Sequence, residues 1–369
     1  MKVLHIVSNF GQGGAQKYVL NLMKYQILQG LDVCAVAMFF KGVLWQDVAG
    51  LRVPLWCMRM RNALDIKGLW RFHTFLKSHN FDIIHVHAVH PAIGIMINRM
   101  NSKNIYSEHS GGLLSGQWIP TLVYRYFNSA YCRFIAISKE TAKAMEHFGP
   151  EIGRKTEVVY NGINLQEIDS ADPEGTPSIP LCFINAGYRV GIVARLVPLK
   201  GLNTFLEVAK RLLDDEKNMV FAIIGDGYLR DKLEKKAMEL GIADKIIFFG
   251  YRPDAIQVMK YFDVFLLTSN FEGFGLVIIE SMAAMVPVVA LHKKGAVREI
   301  IDHYHDGIIV DNGTVDQLAE AVTTLIHDRK LREKIIMNGR KKVENRFVFR
   351  KNAEKILTIY GSCRDEFES

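Results

Sequence analysis

No apolar run in the 369-residue chain approaches the roughly 20 residues that a membrane-spanning helix requires. The N-terminal stretch MKVLHIVSNFGQGG breaks into glycine after ten residues, so it is not expected to act as a secretory signal. Cysteine is sparse and scattered: five residues, at 34, 57, 132, 182 and 363, with no C-x-x-C. Reduced thiols in a cytosol fit that pattern better than a disulfide framework or a zinc site. A cytoplasmic protein is therefore expected, able at most to lie on the inner face of the membrane. G-x-G-x-x-G is missing as well. The glycine-rich GQGGAQ after the first hydrophobic run does not match it, and no acidic residue closes VCAVAMFFKG, which argues against a nicotinamide-binding fingerprint. No basic–aromatic motif of a nucleic-acid reader occurs, so nucleic acid is not an expected partner.

What is present is an ordinary globular composition, 49% hydrophobic and 23% charged, in a chain long enough for two domains. Charge is unevenly placed. Residues 1–150 carry 16 Lys and Arg against 7 Asp and Glu, whereas residues 151–369 carry 30 against 32. A basic first half suits an anionic partner such as phosphate or an acidic membrane surface, and equally suits plain solubility.

Short β-rich runs alternate with helical patterns. Strands are expected at 3–8, 33–39, 81–88, 104–109, 132–138 and 156–161, with helices near 14–29, 66–79, 119–130 and 138–148. After a linker-like DSADPEGTPSIP the rhythm restarts, with strands at 188–196, 219–227, 245–250, 263–269, 286–291 and 307–311. A helical stretch over 315–362 ends the chain. Apolar strands separated by helices specify parallel sheets covered on both faces. The expected architecture is α/β: a Rossmann-like domain over 1–168, a linker over 169–186, a second Rossmann-like domain over 187–348, and a C-terminal helix over 349–369 crossing back to the first. Ligands of such sheets bind beyond the strand C-termini, so the site is sought in a cleft between the domains.

The stretch FEGFGLVIIE (271–280) sets a loop with two glycines before a helix and two glutamates eight apart. Free N–H groups at a helix start, with the helix dipole, attract an anion. Glu280 lies about five residues in, roughly 7–8 Å along the axis, with its side chain leaning back toward the N-terminus. A diphosphate at the tip would bring an attached ribose within its reach, and Glu272 would face whatever hangs from the other phosphate. The alternative is a paired structural acid at Glu280 and a solvated one at Glu272. Arg195 and Lys200, just past a strand and separated by Pro198, are two cations that can clamp a diphosphate and steady it as it leaves; solvated loop residues are the alternative. His109, in YSEHSGG, ends a strand and can also be read as a satisfied core histidine. His85, His87 and His90 form HVHAVH, but no nearby Asp, Glu or Cys completes a metal set. QWIPTLVYRYFNSAYCRF (117–134), with the basic loop RMRN (59–62), suggests an interfacial segment; an ordinary packed helix is the alternative.

The run DVFLLTSNFEGFGLVIIESMAAMVPVVA resembles the Glu-x7-Glu signature of a large retaining glycosyltransferase family, the group 1, family 4-like enzymes. The similarity continues through GQGGAQKYVLNL, VVYNGIN, GIVARLVPLKG, GDGYLRDKLE and GYRPDA. The sequence departs from the pattern at Met285 and Lys294, where that family usually has glycine, and at Gln16, where it often has Glu. The resemblance implies the GT-B architecture and transfer, with retention, of a hexose or N-acetylhexosamine. The implied donor is a nucleotide diphosphate sugar, with UDP the expected nucleotide, and the acceptor a glycan or lipid-linked molecule of cell-surface polysaccharide synthesis. By the same resemblance Glu272, Arg195, Lys200 and His109 are catalytic, and Gly13, Gly14, Arg252, Gly273, Phe274, Gly275, Leu276 and Glu280 bind the donor. No D-x-D occurs, so no metal cofactor is expected; Arg195 and Lys200 take its place. A sugar-nucleotide epimerase, which would convert donor without acceptor, and a non-catalytic nucleotide-sugar-binding protein are the rival functions.

Overall fold

In the computed structural model two parallel sheets account for the alternating pattern. The structure describes all residues except 12, 91, 99, 101, 110–127, 148, 176–178 and 366–369. The chain divides into two units, Met1–Asn161 with Arg350–Ser369, and Gly162–Phe349.

Unit 1 holds seven strands: β1 (Lys2–Asn9), β2 (Asp32–Phe40), β3 (Leu55–Cys57), β4 (Ile83–His87), β5 (Lys103–Glu108), β6 (Arg133–Ala136) and β7 (Thr156–Val158), ordered β3-β2-β1-β4-β5-β6-β7. Val3, Leu4, Ile6, Val33 to Met38, Ile83 and Ile84 are all buried, as strands covered on both faces require. Helix α1 (Gly14–Leu28) follows β1, and α2 (Ile66–Lys77) is capped by the Asp65 carboxylate, which accepts from the Gly68 N–H at 3.1 Å. Burial of each large apolar side chain contributes about 1.5–3 kcal/mol, so the continuous runs hold the sheet together.

Unit 2 holds β8 (Tyr188–Val193), β9 (Met219–Ile224), β10 (Ile246–Gly250), β11 (Val264–Leu267), β12 (Val288–His292) and β13 (Ile308–Asp311), ordered β10-β9-β8-β11-β12-β13. Helix α3 (Leu202–Asp215) buries Leu202, Phe205, Leu206, Ala209, Leu212 and Leu213, an i, i+3, i+4, i+7 stripe that explains why this segment is a helix lying on a sheet. Helix α4 (Leu276–Ala283) follows β11.

Several expectations need correction. The unit changes at Asn161–Gly162, not at the Pro- and Ser-rich run. The residues expected as a linker are docked on unit 2: the Lys260 ammonium donates to the Ala171 carbonyl at 2.6 Å, Tyr261 donates to the Pro173 carbonyl at 2.9 Å, and Phe183 is fully buried against Phe249 and Phe262. The C-terminal helical stretch is three helices, Val315–His327, Arg329–Arg346 and α5 (Phe349–Asp365), broken where the Asp328 side chain caps the second and where buried Phe347 turns the chain inward. Strand β3, only three half-buried residues, gave no apolar run to read. The helix expected at 119–130 lies mostly outside the described residues. Among them, no helix is long and apolar enough to cross a membrane.

Met285, one of the departures from the glycine pattern, follows the end of α4 with φ 61°. Left-handed backbone at this position favours glycine, and a β-carbon there costs about 1–2 kcal/mol. Met285→Gly should raise the stability of unit 2 by about 0.5–1 kcal/mol, after allowing for glycine's looser unfolded chain, read as a higher midpoint in thermal unfolding.

Candidate functional site

In a doubly wound sheet, two neighbouring strands whose crossovers run in opposite directions leave a crevice at their C-terminal ends. In unit 2 those strands are β8 and β11. The segment after β8 carries Arg195 and Lys200, and the segment after β11 carries Glu272 to Leu276, so the topology brings together residues separated by more than seventy positions. The Lys200 ammonium donates to the Glu272 carboxylate at 2.6 Å; both side chains are largely buried, 18% and 9% exposed. The two segments are also laced by backbone. Asn270 N–H donates to the Leu199 carbonyl at 2.9 Å, and the Thr268 hydroxyl donates to the Lys200 carbonyl at 3.2 Å. Lys200 is thus fixed at both ends.

Glu272 is held from the other side by the segment after β12. Ala296 N–H donates to the Glu272 carbonyl at 2.9 Å, and Gly295 bridges Glu272 in parallel. Gly295 has φ 100°, and a β-carbon there would lie 2.0 Å from the Glu272 carbonyl oxygen. Only glycine lets this backbone approach so closely.

The other predicted residues divide. Arg195 is exposed, and its guanidinium makes no hydrogen bond or ion pair among the described residues, so it is a cation available to an anion. Gly275 is the N-cap of α4, with Gly273 before it and Leu276 opening the helix, so the first N–H groups of α4 lie next to the Lys200–Glu272 pair in sequence. Glu280 is half-buried in the second turn. Phe274 is buried and packs edge-on against Phe347 at 5.7 Å, so its side chain belongs to the core. Arg252 forms a fork with Asp254, at 2.9 Å from its Nε, beside the Phe249 ring. That carboxylate occupies one edge of a guanidinium that the resemblance assigns to donor binding.

In unit 1 the switch lies between β1 and β4. Gly13 is the N-cap of α1 and Gly14 its first residue, placing both at the C-terminal end of β1. His109 follows β5 and is buried, and its Nδ1 has no hydrogen-bond partner among the described residues. The histidines of HVHAVH separate: His85 and His87, on β4, are buried while His90 is exposed. They are joined by His5, which the sequence reading did not single out and which β1–β4 register sets directly beside His85. Burial pushes the His5 and His109 rings down to about 4, and holds His85 and His87 well below the usual histidine range, so all four are neutral. The signal for His5 was available as a polar residue inside an apolar strand. Residues 117–127 of the aromatic, arginine-bearing segment lie outside the described residues.

Comparison with known proteins places this geometry. Residues 185–342 match the family model described as glycosyl transferases group 1, and residues 12–167 match glycosyltransferase family 4. An uncharacterised glycosyltransferase of Methanocaldococcus jannaschii is 28% identical over 94% of both chains. A UDP-Gal:alpha-D-GlcNAc-diphosphoundecaprenol alpha-1,3-galactosyltransferase of Escherichia coli is 24% identical over 98% of this chain and 96% of its own. Among solved structures, HepE of Anabaena, crystallised with UDP and glucose, superposes with a TM-score of 0.82 at 21% identity, over 98% of this chain and all of its own. The two Rossmann-like units are those of the GT-B architecture.

Gly295→Ala should destabilise unit 2 by about 1–3 kcal/mol, because the added carbon forces the 294–296 segment off Glu272. A thermal unfolding curve superimposable on the parent's would mean that the segment yields freely.

Proposed function

The chain belongs to the group 1, family 4-like glycosyltransferases, and from that premise we propose that it moves a hexose or N-acetylhexosamine from a UDP-sugar to a glycan or lipid-linked acceptor of cell-surface polysaccharide synthesis, with retention of configuration. The activity for which the Escherichia coli relative is named, with a UDP-sugar donor and a lipid diphosphate acceptor, supports this choice, as does the UDP in the Anabaena structure.

The observation that carries the reading is the Lys200–Glu272 contact at the switch point of unit 2, beside the start of α4. Without ligand the ammonium has one carboxylate neighbour. An ammonium has three N–H donors, so Lys200 can keep Glu272 and still donate to a phosphate oxygen. Arg195 supplies the second charge, and the α4 amides supply neutral donors. Together they stabilise the diphosphate as the bond from the anomeric carbon to its oxygen breaks. The acceptor hydroxyl forms the new bond to that carbon on the same face, its proton passes to the departing phosphate oxygen, and the nucleoside diphosphate leaves. Glu272 positions the sugar and Glu280 holds the ribose hydroxyls. In unit 1, His109 is the candidate contact to a sugar hydroxyl. The cations do the work for which other sugar-nucleotide enzymes use a divalent ion.

Contact with an anionic membrane is best placed on α2. Leu64, Ile66 and Trp70 are 73%, 81% and 68% exposed, and Arg59, Arg61, Lys67 and Arg71 are exposed around them. Asp65, the acid among them, is buried and occupied by backbone N–H groups. An apolar tip ringed by cations fits an acidic headgroup layer.

Lys200→Ala should lower the transfer rate by about 10²-fold or more, measured with UDP-sugar and acceptor below the variant's own unfolding midpoint, which the unpaired Glu272 lowers. Glu280→Ala should weaken donor binding, seen as a smaller thermal shift across a panel of UDP-, GDP- and ADP-sugars; an unchanged shift would remove Glu280 from the ribose. For α2, Ile66→Ser/Trp70→Ser should release the protein from vesicles of anionic phospholipid in co-sedimentation and leave its behaviour with neutral vesicles unaltered. Equal pelleting of parent and variant would place the contact elsewhere.

A further inference from the structure

The four buried histidines of unit 1 form part of one continuous hydrogen-bonded chain, and Gln26 of α1 sits in the middle of it. Gln26 Oε1 lies 2.7 Å from His5 Nε2, and Gln26 Nε2 donates to the Tyr360 hydroxyl at 3.2 Å. On one side, His5 Nδ1 lies 2.9 Å from His87 Nε2, and His87 Nδ1 lies 3.0 Å from His109 Nε2. On the other, Tyr360 meets His85 Nδ1 at 2.6 Å and His85 Nε2 meets the Ser107 hydroxyl at 2.6 Å. Gln26, His5 and His85 are fully buried.

A neutral imidazole carries one N–H and one bare nitrogen, so protonation at one ring dictates the next. An amide oxygen only accepts, hence His5 carries its hydrogen on Nε2 and presents a bare Nδ1. His87 must then donate from Nε2 and accept at Nδ1. His109 must donate from Nε2, which leaves its buried Nδ1 as a bare acceptor with no partner among the described residues. Turning the Gln26 amide over would reverse every bond and leave His109 with a buried, unpartnered N–H. Orphaned N–H donors are the rarer and costlier outcome, so the first polarity is favoured.

We propose that Gln26, acting through His5 and His87, fixes the tautomer of His109 so that its Nδ1 accepts a hydrogen bond from a ligand hydroxyl. Gln26, His5 and His87 are positioning residues, and the group recognised is a hydroxyl donor such as a sugar carries, not a phosphate oxygen or carbonyl. The hydroxyl's belonging to a transferred sugar rests on the glycosyltransferase reading; the tautomer does not. Three of these rings, His5, His85 and His87, also place nitrogens close enough together to hold a metal ion, but both nitrogens of each are used in the chain above.

The test is long-range ¹H–¹⁵N correlation on the full chain labelled at histidine, with the His109 signals assigned by their loss in His109→Gln. In the parent protein His5, His87 and His109 should all be Nε2–H. Gln26→Met, of similar size but without the accepting oxygen, leaves one N–H unpartnered in either direction, so Nδ1–H should appear beside Nε2–H on these rings, whereas Ser107→Ala, beyond Gln26 on the other arm, should leave them as in the parent. Nδ1–H on His109 in the parent overturns the proposal without any variant. So does Gln26→Met with tautomers unchanged, or one equivalent of transition metal in the purified protein by elemental analysis. Transfer by Gln26→Met should fall about tenfold, the effect of one hydrogen bond. A mixed tautomer with undiminished transfer would overturn the hydroxyl contact while leaving the chain of protons intact.

Discussion

A carboxylate cannot sit nine-tenths buried without a partner, and in this protein the partner of Glu272 is an ammonium delivered by a different strand's loop. That requirement organises much of unit 2. The Lys200 segment must end where the Glu272 segment ends, which the adjacency of β8 and β11 achieves. The backbone must then be held, by Asn270 against Leu199 and by Ala296 against Glu272. The glycine at 295 follows from the second of these contacts, because no side chain fits where two backbones touch. A lone pair of exposed charges would be worth less than 1 kcal/mol. Enclosed in this way, the same pair is screened far less by water and salt.

Unit 1 solves the opposite problem. Four of its buried polar groups are histidines, on β1, on β4 and just past β5, and burial keeps them uncharged. Neutral rings need no counter-ion; they need each other, and the β1–β4 register that pairs His5 with His85 provides that. Tyr360, on α5, closes the chain to Ser107 and explains why the last helix of the sequence belongs to the first unit. The two units thus use electrostatics differently. One stores charge in a pair, and the other stores the direction of a series of hydrogen bonds.

The strands were legible because parallel strands buried on both faces are continuous apolar runs, and VCAVAM or MVFAII cannot be mistaken for surface. The two-unit α/β plan followed from their alternation with helices. The positions of candidate charged residues were legible where a motif placed them past strand ends, as with Lys200 and Glu272. Their pairing with each other was not, because it depends on which strands are neighbours. Arg252 and Phe274 show the same limit: the motif gives their position, while Asp254 and Phe347 decide what their side chains do. The Pro- and Ser-rich run misled because composition reports turn propensity, and a turn-rich segment still docks when it carries a Phe183. His5 and Gln26 were missed since a single polar residue in an apolar element has no pattern. Only the fold reveals that several of them meet.

The identity of the cation at position 200 carries a physical argument of its own. Arginine presents a flat fork that matches a carboxylate with two parallel hydrogen bonds, and a fork so matched to Glu272 would have its edge consumed, as the edge of Arg252 is consumed by Asp254. Lysine is a point charge whose three hydrogens diverge. It can satisfy Glu272 with one and turn the others toward a second anion without giving up the first. The stem of Lys200 is largely enclosed and its carbonyl is tied to Thr268, so the backbone sets where the stem starts and the carboxylate holds its tip. Arg195, exposed and without a partner among the described residues, has no such duty and stays available to an anion. A held point charge and an uncommitted one, five residues apart on the same segment, suit an anion whose charge grows while it departs.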